Sequence, residues 1–188
     1  MSSNLSSSKQ TPPAPGDREL LVLRHGKAEP DGPSDFERAL TIEGERICRA
    51  VGRWLAAQGH IPDAWIASPA RRTRETLEAV ADGSGMGSVV VNWEPTIYEA
   101  SVDGLVAALA RLPQRPKRAL LIGHNPGLTG LVEHLVGDAL RPAQRAQLLP
   151  TATLVRLAMP QDWSELGRGS ASVIEIVPRP AAMPGSTR

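Results

Sequence analysis

Residues 20–27 read Leu20-Leu21-Val22-Leu23-Arg24-His25-Gly26-Lys27. Four consecutive apolar residues are too few for a helix and run straight into a glycine-bearing turn, so Leu20 to Leu23 reads as a buried strand. The same reading applies to Ala64-Trp65-Ile66-Ala67, Val89-Val90-Val91 and Ala119-Leu120-Leu121-Ile122. Helical spacing fills the gaps between them. Ile47, Val51, Trp54 and Leu55 recur at i, i+4, i+7 and i+8, with Thr41 as a cap, Glu43 and Glu45 at the positive end and Gly59 as the stop. Ser68-Pro69 reads as a helix start with Thr73, Leu77 and Val80 on its inner face. Val102, Leu105, Val106 and Leu109 mark another helix. Asn125-Pro126 is expected to cap a helix with Leu128, Leu131, Val132 and Leu135 inward and Gly137 at its end. Thr153 to Leu157 and Val173 to Val177 are two late strands. Strands alternating with helices predict an α/β three-layer sandwich, a mostly parallel central sheet with helices on both faces.

The chain has 188 residues, 41% hydrophobic and 22% charged, which suits one domain, placed at residues 18–177. Residues 1–17, rich in Ser and Pro without an apolar core of a signal peptide, and 178–188 read as disordered tails. No run approaches the ~20 apolar residues of a membrane span. The single cysteine, Cys48, excludes an internal disulfide and a cysteine-based zinc site, and a cytoplasmic protein is expected. With 21 Lys and Arg against 20 Asp and Glu, the net charge of +1 lacks the footprint of a nucleic-acid binder. Within that balance only Lys9, Lys27 and Lys117 are lysines, leaving 18 arginines. Genome composition explains most of such an excess, so the question is whether a few of them converge.

In open α/β sheets, ligands bind beyond the carboxyl ends of the strands. The first strand leads into Arg24-His25-Gly26-Lys27, the second into Ser68-Pro69-Ala70-Arg71-Arg72, and the fourth into Gly123-His124-Asn125-Pro126. Two histidines and several arginines therefore meet at one sheet edge beside two helix starts. Arginine's fork of donors matches phosphate oxygens, and a helix N-terminus adds unpaired N–H groups. Taken alone, Arg24-His25-Gly26 is more often a surface turn and Arg72 a solvated side chain, and His124 is as readily a residue that satisfies backbone groups. His60 reads as an exposed loop residue and His134 as a flank of its helix. No HExxH or paired i,i+4 histidines occur, so no metal and no cofactor is expected.

Together, Arg24-His25-Gly26, Arg38-Ala39-Leu40-Thr41 with Gly44, Ser68-Pro69 with Arg72 and Thr76, and Gly123-His124-Asn125-Pro126-Gly127 occur in one order. That order resembles the histidine phosphatase (phosphoglycerate-mutase-like) superfamily, and within it the short SixA-type phosphohistidine phosphatases, over about residues 19–137. The resemblance implies a metal-independent phosphatase in which His25 is the nucleophile and a phosphohistidine forms on the enzyme. Arg24, Arg72 and His124 would hold the phosphoryl oxygens. Gly26 would permit a close backbone approach. Lys27, Arg38 and Asn125 are candidates for substrate contacts. Many members carry a proton-donating acid between the Ser-Pro-x-x-Arg segment and the second histidine. Glu99 is the candidate, with Glu94 and Asp103 as alternatives, although SixA-type proteins lack a clear acid there.

The segments between motifs leave no room for a large lid, so an open pocket is expected, suited to a phosphate on a protein side chain. The partner is then a phosphorylated protein or, alternatively, a small phosphoester. A third reading is a phosphate-binding module without turnover, which the presence of all four core positions weighs against. A dinucleotide-binding domain fits poorly, because Gly83-Ser84-Gly85-Met86-Gly87 comes after a helix rather than a strand.

Overall fold

A computed structural model describes residues 18–112, 116–145, 148–164, 166–177 and 179. The expected tails lie outside the described residues, Arg179 excepted. Among the described residues six strands form one sheet: β1 (Glu19–Arg24), β2 (Ala64–Ala67), β3 (Val91–Trp93), β4 (Arg118–Gly123), β5 (Leu154–Ala158) and β6 (Ser172–Val177). Their order is β3-β2-β4-β1-β5-β6. The first four run parallel, β5 is antiparallel to β1, and β6 pairs antiparallel with β5. The helices are α1 (Ile42–Ala57), α2 (Arg71–Gly83), α3 (Val102–Ala110), α4 (Gly127–Val136) and the short α5 (Pro142–Arg145). Among the described residues no helix is long and apolar enough to cross a membrane.

The unbroken apolar runs of the central strands arise from burial on both faces. Leu21, Leu23, Trp65, Leu120 and Ile122 pack under α1 and α2 with Ile47, Val51, Leu55, Leu77 and Val80. Leu20, Val22, Ile66 and Leu121 face the other way, onto Leu105 and Leu109 of α3 and Leu128, Leu131 and Leu135 of α4. Helices therefore cover both faces, and each fully buried aliphatic side chain contributes about 1.5–3 kcal/mol.

Capping at α1 is as the sequence predicts: Thr41 Oγ1 accepts from Gly44 N at 2.9 Å. The other two helix starts differ. α2 begins at Arg71 with Ala70 as its cap residue and no side-chain cap. Ser68 lies before it, its Oγ accepting from Ala70 N at 3.3 Å and meeting His124 Nε2 at 3.0 Å. α4 likewise has no side-chain cap, because Asn125 Nδ2 donates instead to Leu149 O at 3.0 Å. The third strand is displaced from residues 89–91 to Val91–Trp93. Among the described residues it is a sheet edge paired with β2 alone, and Val90 is left 91% exposed, so its apolar run does not mark the paired segment. His60 is half-buried rather than exposed, because the loop turns back (His60 N to Leu55 O, 2.8 Å) and sets its ring 5.7 Å from Trp54.

Close helix packing positions the loop after β1. A Cβ on Gly44 would lie 2.2 Å from Lys27 O, so only glycine there lets α1 approach the backbone that leaves β1. The α1–α2 crossing is equally tight, with a Cβ on Gly52 falling 2.1 Å from Val80 O. Gly52→Ala is expected to destabilise the fold by about 1–3 kcal/mol, read as a lower urea midpoint, because backbone must move to admit the methyl. An unchanged midpoint would show that α1 and α2 separate without cost.

Candidate active site

The sheet places the carboxyl ends of β1, β2 and β4 side by side, with Arg24 paired to Gly123 and Ala67 to Ile122 in parallel register. His25 and His124, one residue beyond β1 and β4, thereby become neighbours, with ring centroids 5.2 Å apart and planes tilted by 51°. Both are buried, at 9% and 8% exposure.

His25 is fixed from several sides. Its amide donates to Gly123 O at 3.2 Å, and its Nδ1 lies 2.7 Å from Gly26 O. A carbonyl only accepts, so Nδ1 carries the proton and the Nε2 lone pair is left free. Gly26 N donates to Thr76 Oγ1 at 3.0 Å, and Thr76 Oγ1 donates to Arg72 O at 2.6 Å, which ties this turn to α2. A Cβ on Gly26 would meet Cys48 Sγ at 2.7 Å, so the close approach made by this glycine is to α1. Burial then holds Cys48 as a thiol, its pKa pushed up to about 12.

Arg24 and Arg72 flank the pair. Arg24 Nη1 donates to Leu149 O at 3.2 Å, the same carbonyl that receives Asn125, while its Nε is buried without a partner among the described residues. Burial and the charges of Arg179 and Arg72 lower the Arg24 pKa, a sign of cations gathered with too little anion between them. Arg72, at the start of α2, is 6% exposed and lies 5.8 Å from the Tyr98 ring centroid. Tyr98 in turn stands edge-on to His124 at 5.4 Å.

Burial, reinforced by the nearby arginines, depresses both imidazoles, His25 to about 4 and His124 to about 3. Both rings are therefore neutral at physiological pH. A neutral ring with a free nitrogen is a nucleophile, and two forked cations beside it can hold tetrahedral oxyanions.

The structure thus brings together Arg24, His25, Arg72 and His124, with Asn125 held beside Arg24 by a shared carbonyl. Arg38 donates to Asp35 at 2.8 Å and its charge reaches His25. Lys27 is exposed and paired with Glu43 at 2.8 Å. The acid candidates stand apart: none of the three forms a hydrogen bond with either histidine among the described residues. Glu99 is exposed with a φ of 52°. Glu94 accepts from Thr96 Oγ1 at 2.8 Å and Arg111 at 3.0 Å, which holds its carboxyl below the usual range. Asp103 lies in the first turn of α3. The sequence reading missed Asp35 and Tyr98, which meet Arg72, and Leu149, whose carbonyl anchors two site residues. No periodicity or motif marks Asp35. Tyr98, the only tyrosine of the chain, is the one signal that was available.

A pair of neutral imidazoles between arginines, at the carboxyl edge of a parallel sheet, defines an oxyanion-handling enzyme of the α/β class. A model of the histidine phosphatase superfamily (branch 1) matches residues 20–105. The phosphohistidine phosphatase SixA of Escherichia coli (strain K12) is 29% identical over 154 residues, 81% of this chain and 89% of that one. An uncharacterised protein of Mycobacterium tuberculosis (strain H37Rv) is 28% identical over 163 residues, 84% of this chain and 100% of that protein. A solved SixA-type structure from Nakamurella multipartitia superposes with a TM-score of 0.75 at 28% identity, covering 88% of this chain and 98% of that one. The chain belongs to the histidine phosphatase superfamily, with SixA-type proteins among its relatives, and is a phosphatase of that class.

The depressed histidines also fix a pH dependence. In the unfolded chain they protonate near the ordinary value of about 6.5, whereas folded they stay neutral to about 4 and about 3. Below about 6.5 the unfolded state binds more protons, so stability is fully present above that pH and falls as pH drops toward 4. His25→Ala and His124→Ala are each expected to flatten part of that slope in denaturant titrations between pH 7 and 4. Slopes unchanged in both variants would show that the rings titrate normally.

Proposed function

We propose that the chain is a metal-independent phosphohistidine protein phosphatase acting through His25, its catalytic domain spanning about residues 18–177. The observation that carries this reading is the His25 ring: neutral, proton-bearing at Nδ1 against Gly26 O at 2.7 Å, and flanked by Arg24 and Arg72. His25 Nε2 attacks phosphorus, the bond to the leaving nitrogen breaks, and its electron pair stays on the substrate ring, which already carries a proton on its other nitrogen and so departs as neutral imidazole. The Gly26 carbonyl steadies the cationic phosphorylated ring through the Nδ1 proton. Water then attacks phosphorus, the P–Nε2 bond breaks, and inorganic phosphate leaves with His25 restored.

Arg24 and Arg72 hold the phosphoryl oxygens and offset the charge of transfer, so positioning and electrostatics carry the rate. The arginines occupy the role a divalent cation serves elsewhere, which is the ground for metal independence. His124, aligned by Ser68 at 3.0 Å, completes the cradle. A phosphohistidine substrate supports the reading that no dedicated acid is needed, since imidazole leaves readily from a labile P–N bond. The kinship with SixA and a β1–α1 segment without a helix or named strand of its own among the described residues favour a protein-borne phosphate, and the cytoplasm is the proposed place of action.

His25→Ala is expected to lower hydrolysis of an aryl phosphate by at least about a thousandfold with the fold intact by circular dichroism. Retained activity would remove His25 from the nucleophile's role. Arg72→Lys, which keeps the charge but loses the fork, is expected to lose about a hundredfold in kcat/KM. The substrate class is tested by comparing a phosphohistidine protein, phosphoserine peptides and sugar phosphates with a chelator present. The expected outcome is the highest kcat/KM on phosphohistidine, unaffected by chelation. Preference for sugar phosphates would assign small phosphoesters instead, and inhibition by the chelator would contradict metal independence.

A further inference from the structure

The proposed phosphoryl cradle already contains an anion. Arg72 Nη1 donates to Asp35 O at 2.5 Å and Nη2 to Asp35 Oδ2 at 3.0 Å, so both ends of its fork rest on one residue. Arg38 Nη1 reaches Asp35 Oδ1 at 2.8 Å, and Tyr98 Oη donates to Oδ2 at 2.8 Å. The two partners differ in depth: the Arg72 side chain is 8% exposed and the Asp35 side chain 51%. A carboxylate on an exposed loop has been folded down onto a buried guanidinium, a cation that is costly to leave unpaired.

Carboxylate and phosphate oxygens present the same geometry to a guanidinium fork, so they compete for it. Resting on the phosphatase reading, we propose that Asp35 is a positioning residue that stands in for phosphate on Arg72. It keeps the guanidinium aimed while the site is empty, yields to an arriving phosphoryl group, and returns to speed release of the inorganic phosphate product. Arg38, on the other carboxylate oxygen, is placed to retain the displaced carboxylate, whereas Tyr98 shares Oδ2 with Arg72 and steadies it in its seat. The Arg38 and Tyr98 hydrogen bonds hold Asp35's carboxyl well below the usual carboxylate range, so it remains an anion and is a poor source of protons. The loop is tied to α2 independently of the carboxylate, through Arg71 N to Phe36 O at 3.0 Å, so Asp35 can yield without the loop detaching.

A resident competitor weakens apparent affinity by the fraction of time the seat is free. Calorimetric titration of inorganic phosphate tests this in wild type, Asp35→Asn, Tyr98→Phe and Glu37→Gln. Asp35→Asn is expected to bind phosphate about tenfold more tightly. Tyr98→Phe, which leaves net charge unchanged but removes one anchor of the carboxylate, is expected to tighten binding about threefold. Glu37→Gln removes a charge from the same loop and is expected to stay within about twofold of wild type. In steady state, Asp35→Asn lowers KM and the phosphate inhibition constant together, by more than it changes kcat.

Phosphate binding that is equal or weaker in Asp35→Asn overturns the proposal, as does equal tightening in Glu37→Gln, which would mark a bulk charge effect. Asp35→Asn leaves Arg72 an amide oxygen and the residue 35 carbonyl to donate to, so circular dichroism is expected to match wild type even where melting falls with loss of the ion pair. Unaltered phosphate binding across all four proteins, with wild-type turnover intact, overturns the role of Asp35 alone. Failure of every protein to bind phosphate overturns the phosphoryl cradle as well.

Discussion

The 2.7 Å hydrogen bond from His25 Nδ1 to the Gly26 carbonyl is the contact on which the arrangement depends. It decides which ring nitrogen is free, and it exists only because the turn after β1 is immobilised. Thr41 N donates to Lys27 O at 2.9 Å, Gly44 admits that carbonyl against α1, and Ala152 N closes the other side on the carbonyls of Arg24 and His25 at 3.1 Å. Helix α1, helix α2 through Thr76, and the loop before β5 all contact this one turn. The core beneath it serves to hold two strand ends in register.

Electrostatics complete what packing begins. Burial keeps both imidazoles neutral, and the arginines reinforce that state by opposing further positive charge nearby. The same arginines leave the centre short of anion, which Asp35 relieves in part by its bonds to Arg72 and Arg38. A chain with a net charge of only +1 thus concentrates positive potential at one sheet edge. The overall balance excluded a nucleic-acid footprint while saying nothing of the local field.

Legibility tracked the range of the interactions. The four central motifs could be placed because each lies directly after a recognisable strand or at a helix start, and open α/β sheets gather such ends together. Thr41 was readable as a cap because its partner, Gly44, is three residues away. Ser68 and Asn125 were misread as caps because their side chains go to His124 and Leu149, 56 and 24 residues distant. β3 was displaced because an edge strand covered on one side leaves Val90 outside the ladder. Asp35 sits in a loop without periodicity, 37 residues from the arginine it meets.

The sequence by itself determined the alternation of strands and helices, the order of the motifs and the residue types at the carboxyl edge. Those are properties of local hydrophobic patterning and of turns a few residues long. Tertiary structure alone decided that His25 and His124 stand 5.2 Å apart, that His25 keeps its proton on Nδ1, and that Arg72 rests on Asp35. Each of these depends on groups brought together by sheet register or burial. No local pattern encodes the dielectric or the distant partner that sets a side chain's charge and aim.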